Sequence, residues 1–100
     1  MLVRAERESA EARCRLGECY ERGEWSLEVD VDKAFELYRE SASEGDAGGM
    51  YNLGRCYLEG IGVEKDRDRA RLWLGLASAE KGDFCGYAVR ADEMLGTLKQ

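Results

Sequence analysis

The sequence contains no proline and no histidine. Without proline nothing imposes a ring-locked break on a helix, and a polyproline linker is excluded. Without histidine there is no Ser-His-Asp or Cys-His nucleophile pair, and the commonest metal ligand is missing. No stretch approaches the roughly 20 apolar residues of a membrane span. The start, "MLVRAERESAEARCR", has no apolar h-region of a secretory signal. Taken as a native start, it makes a cytoplasmic location the expectation. Basic excess is also missing: the net charge is −6. Nucleic acid is therefore not an expected partner, because phosphate binding needs concentrated positive charge. The four cysteines form no C-x-x-C pair, and Cys14 and Cys19 sit five apart on one reading frame of a helix, pointing different ways. Four reduced cysteines, mostly in core positions, are expected, with no metal and no cofactor.

What remains is 100 residues, enough for one small domain, of which 44% are apolar and 36% charged with both signs interleaved. Helix formers dominate. Apolar residues at Ala5, Ala12, Leu16, Cys19 and Tyr20 recur at helical spacing and predict a helix over 3–22 ended by Gly23. Asp30 or Asp32 caps a second helix, with Ala34, Leu37, Tyr38 and Ala42 (or Ser41) inward and Gly45 as its stop. Asp46 caps a third helix, which Gly60 closes. A fourth spans 67–81, with Ala70, Trp73, Leu74 and Ala77 inward, and Gly82 ends it. Asp83 caps a fifth that runs to about 98.

Within this order one phrase is written twice: "LGECYERG" at 16–23 and "LGRCYLEG" at 53–60. The offset, 53 minus 16, is 37 residues, in the range of repeat architectures. A joint built twice explains it. Leu16 and Leu53 are expected to point at the partner helix of their own hairpin. Gly17 and Gly54 let two helix backbones approach, and Tyr20 and Tyr57 fill the space one turn on. Gly23 and Gly60 supply a positive φ.

These letters resemble the Sel1-like repeats, relatives of the tetratricopeptide repeat. The second unit carries Leu53, Gly54, Tyr57, Gly60, Gly62, Val63, Asp66, Arg69 in the Lys place, Ala70, Trp73, Leu74, Ala77 and Gly82. The first carries Ala12, Leu16, Gly17, Tyr20, Gly23, Asp30, Lys33, Ala34, Tyr38, Ala42 and Gly45. Its loop has one extra residue and lacks G-x-G-V, and Leu37 stands where the family has Trp. Gly48 and Gly49 weaken the start of the third helix by about 1 kcal/mol each. The resemblance implies an all-α fold: a right-handed solenoid of antiparallel helix pairs, five helices in a single domain over 1–100. Repeat one would cover about 10–45, repeat two about 46–82, and a capping helix about 83–98.

Chemistry is sparse. "EVDVD" at 28–32 lacks the order of a calcium loop and reads as a solvated helix start. "GIGVEK" has no phosphate-cradle spacing. By analogy with related repeats, the first helix of each pair lines a concave face through Glu11, Cys14, Glu18, Glu21 and Arg22. Gly48, Tyr51, Arg55, Leu58 and Glu59 follow, then Ala88, Asp92 and Leu95. Glu18, Arg22, Tyr51, Arg55, Leu58 and Glu59 are the candidate partner-binding residues, Tyr and Arg being favoured at hot spots. The expected function is a non-catalytic protein-protein interaction module, an adaptor or scaffold. The alternatives are a small bacterial immunity or inhibitor protein, or a cysteine-rich enzyme or ligand-binding protein of the β-lactamase-like type. The last is disfavoured because the predicted second helices hold no Cys.

Overall fold

The computed structural model describes residues 2–80 and 86–98, with side chains from Ala10 onward. It contains α1 (Leu2–Arg22), α2 (Val31–Ser43), α3 (Ala47–Glu59), α4 (Arg67–Ser78) and α5 (Tyr87–Leu98). Among the described residues there are no strands. The expected stop at Gly82, cap at Asp83, the thiol of Cys85 and the inward side chain of Ala5 lie outside the described residues.

Helix starts follow the capping chemistry. Asp30 accepts a hydrogen bond from the Lys33 amide at 3.1 Å, Asp46 from Gly49 at 2.9 Å, and Asp66 from Arg69 at 3.1 Å. Each satisfies an amide that the first helical turn leaves without a partner. Of the two carboxylates offered for α2, Asp30 is the cap.

The doubled phrase is a doubled joint. Gly23 donates to the Cys19 carbonyl and Gly60 to that of Cys56, both at 2.8 Å. Asp30 then donates back to Tyr20 and Asp66 to Tyr57, at 2.9 and 2.8 Å, closing each loop onto the helix before it. Gly23 and Gly60 take φ of 73° and 74°, where a side chain is disfavoured. The Leu-Gly pairs also work by close approach. A Cβ on Gly54 would lie 2.8 Å from Leu74 Cγ and 3.2 Å from the Ala70 carbonyl oxygen. One on Gly17 would lie 2.7 Å from the Tyr38 ring. Each glycine thus seats the second helix of its own repeat.

Successive helices pack in order, α1 on α2, α2 on α3, α3 on α4 and α4 on α5. The result is an α-α solenoid whose core runs through Ala34, Tyr38, Leu53, Cys56, Ala70 and Leu74. Ala34 and Ala70 are fully buried, while Trp73 is only partly so, packed against the core's edge.

Leu16 requires a correction. It is 42% exposed, whereas its counterpart Leu53 is 1% exposed. The reason lies in the direction of the stripe. Leu53 is one turn beyond Gly49, whose missing Cβ would sit 2.6 Å from the Ala42 amide of α2. Leu53 therefore shares the face of α3 that also meets the preceding helix, α2. No described helix precedes α1, so the same letter leaves Leu16 half in water.

Candidate functional site

α1 and α5 both touch α3, while α2 and α4 do not touch each other. The first helices thus gather on the inner side of the array and the second helices splay on the outer side. The nominated residues Glu18, Arg22, Tyr51, Arg55, Leu58 and Glu59 lie on α1 and α3, and a polar network joins the two helices. Glu21 on α1 accepts from both ends of the Arg55 guanidinium on α3, Nη1 at 2.9 Å, and from the Tyr38 hydroxyl on α2 at 2.7 Å. One turn back, Glu18 accepts from Asn52 at 3.1 Å and from the Tyr87 hydroxyl on α5 at 2.8 Å. The side-chain oxygen of Asn52 accepts in turn from Arg55 at 3.2 Å. One connected chain of hydrogen bonds therefore ties four helices, and a half-buried network of this kind positions its members strongly.

The nominated residues divide into two groups. Arg55 is largely engaged: its side chain is 17% exposed and bonded to Glu21, Asn52 and Glu59. Tyr51 and Leu58 are half-buried, packed against the core, and Tyr51 rests on Tyr87 with ring centres 5.6 Å apart. Glu18 is half-buried within the network. Arg22 and Glu59 are exposed. The wider lining set also changes, since Cys14 and Gly48 are buried rather than presented. A Cβ at Gly48 would lie 2.9 Å from both Cys14 Sγ and the Tyr87 ring, so glycine there admits α5.

Sequence reasoning missed Asn52, buried between Glu18, Cys14 and Arg55. Its signal was available. An Asn inside a helix is unfavourable unless its amide has a specific partner, and it sits between Tyr51 and Leu53 in an apolar stretch.

The charges follow from these contacts. Burial alone would raise the Glu21 carboxyl, but hydrogen bonds from Arg55 and Tyr38 and the Arg55 charge outweigh it and hold it below the usual range. Burial, then the bond to Glu21, pushes the Tyr38 hydroxyl up. Burial also pushes the Cys14 and Cys56 thiols up to about 12, leaving them protonated and poor nucleophiles. Cys14, Cys19 and Cys56 are free thiols. Among the described residues no His, Cys, Asp and Glu side chains are grouped to hold a metal. None of the described helices is long and apolar enough to cross a membrane.

The family model described as Sel1 repeat matches residues 10–46 and 47–82. No curated protein and no solved structure matches the chain.

Proposed function

The chain belongs to the Sel1 repeat family, and from that premise we propose that it is a non-catalytic protein-protein interaction module acting as an adaptor or scaffold. Sel1 repeats are in general modules of protein interaction. The observation that carries the reading is the inner face itself. Its backbone is braced by the Glu21–Arg55–Asn52–Glu18 network across α1 and α3 and, through Tyr87, to α5. A braced face loses little conformational freedom on binding, which favours affinity. Around that brace stand an aromatic, Tyr51, an aliphatic, Leu58, and the exposed charges Arg22 and Glu59. The acidic balance of the chain, with a net charge of −6, argues for a protein or peptide partner over nucleic acid. Protonated, buried thiols favour binding over nucleophilic chemistry, and free cysteines suit a reducing cytoplasm.

Site-specific photo-crosslinking in the native source tests this. A photoreactive side chain at Glu59, on the inner face, should give a discrete protein adduct. One at Leu72, 58% exposed on α4, should not. Adducts formed at 72 and absent at 59 would move the interface to the outer side and reject the reading.

A further inference from the structure

Among the described residues, the most exposed large apolar side chain is Trp25, at 82%, in the loop joining α1 to α2. Its backbone is left-handed, φ 59°, and Ser26 follows at φ 63°. Residues bearing a Cβ seldom hold that conformation. Beyond the helix-closing glycine that both repeats share, the equivalent loop of the second repeat uses one left-handed residue, Gly62, at φ 70°. Glycine is required there because α2 lies across it: a Cβ would meet the Val31 carbonyl oxygen at 2.6 Å and Phe35 Cβ at 2.9 Å. In the first loop, a glycine would relieve the backbone, yet a tryptophan stands there with its ring in water. Packing within the described structure does not account for it.

The surroundings are apolar and acidic. Val29, four residues on in the same loop, is 62% exposed, and its methyl approaches Gly23 at the end of α1. Leu16 is exposed on the same uncovered side of α1. Exposed Glu24, Glu28, Asp30 and Asp32 flank the loop, against Arg22 and Lys33. We propose that this edge is a second docking surface, in which Trp25 inserts into an apolar cleft of a partner protein whose rim carries Lys and Arg. Complementary charge selects that occupant. A second copy meeting the same edge about a two-fold axis would set like carboxylates against each other. An anionic lipid surface would be repelled by them. A further repeat helix, seated as α2 sits on α3, would run into the side chain that replaces Gly62.

The test uses the full chain with Trp25→p-benzoylphenylalanine, irradiated in a lysate of the native source, and thermal melts of Trp25→Gly. The expected adduct joins position 25 to a segment of one other protein that contains apolar residues with Lys or Arg beside them. Added wild-type chain should compete it away, and Trp25→Gly should not. Its yield should fall roughly tenfold between about 0.05 and 0.5 M NaCl, as screened charges require. Trp25→Gly should melt at the same temperature as wild type or higher. A lower melting temperature would show that the ring serves the fold. An adduct with a second copy or with lipid, one indifferent to salt, or none that wild type competes away, would overturn the proposal.

Discussion

Single glycines in this chain do opposite things, and the atoms around them say which. Gly75 and Gly96 lie inside helices with open space where a Cβ would stand. Replacing either by Ala should therefore add stability of about 0.5–1 kcal/mol, because only the helix penalty of glycine is removed. At Gly49 the added carbon would press on the Ala42 amide nitrogen at 2.6 Å, backbone that cannot turn aside. Gly49→Ala should lose about 1–3 kcal/mol despite the same gain in propensity. Urea unfolding of the three variants checks the sign at each site. The two leucines of the repeated phrase make a matching pair. Leu53→Ala should cost about 2–5 kcal/mol, the range for a buried leucine, and Leu16→Ala under about 1. Equal losses would mean that the side of α1 carrying Leu16 is covered after all. The repeat showed which positions form a stripe. It did not show that the first stripe lacks a neighbour, because periodicity records a helix's own face and not what stands opposite.

Between elements, the brace of Glu21 and Arg55 joins α1 to α3, with Tyr38 of α2 as a third member. Neither residue could be paired from the sequence, since they lie 34 positions apart with no shared motif. Both were nominated singly as lining residues. Contact across two repeats made them partners, so Arg55 is more a support of the face than a free anchor on it. Alanine at Tyr51, Arg55 and Leu58 together should therefore lower the urea midpoint, since all three are half-buried and Arg55 is bonded to Glu21 and Asn52. Glu21→Gln isolates the charge. It should lose on the order of 1–3 kcal/mol at neutral pH, the scale of a hydrogen bond to a charged group. The pH dependence has a definite sign. Because the folded Glu21 carboxyl titrates below its ordinary value of about 4.3, its contribution is complete above that pH. It is lost as pH falls through the folded value. The gap between wild type and Glu21→Gln should therefore narrow below about pH 4. A gap that stayed constant down to pH 2 would remove the ion pair from the account.

At the scale of the whole molecule, the five helices make a slab of 37 × 33 × 18 Å, thin enough that every helix touches solvent. Its architecture was legible because the same joint is spelled twice, with Asp caps and Gly stops at matching places. The face was legible only as a set of positions. Which of them are braced, buried or presented depends on helices meeting across repeats. The central claim is that this slab binds a partner protein through the inner side of α1, α3 and α5. Amide hydrogen exchange, read by mass spectrometry on the chain alone and with the partner identified by crosslinking at Glu59, tests it most directly. The account predicts added protection in segments of α1 and α3 that hold Glu18, Arg22, Tyr51, Leu58 and Glu59, with α2 and α4 unchanged. Protection confined to α2 and α4 would contradict it.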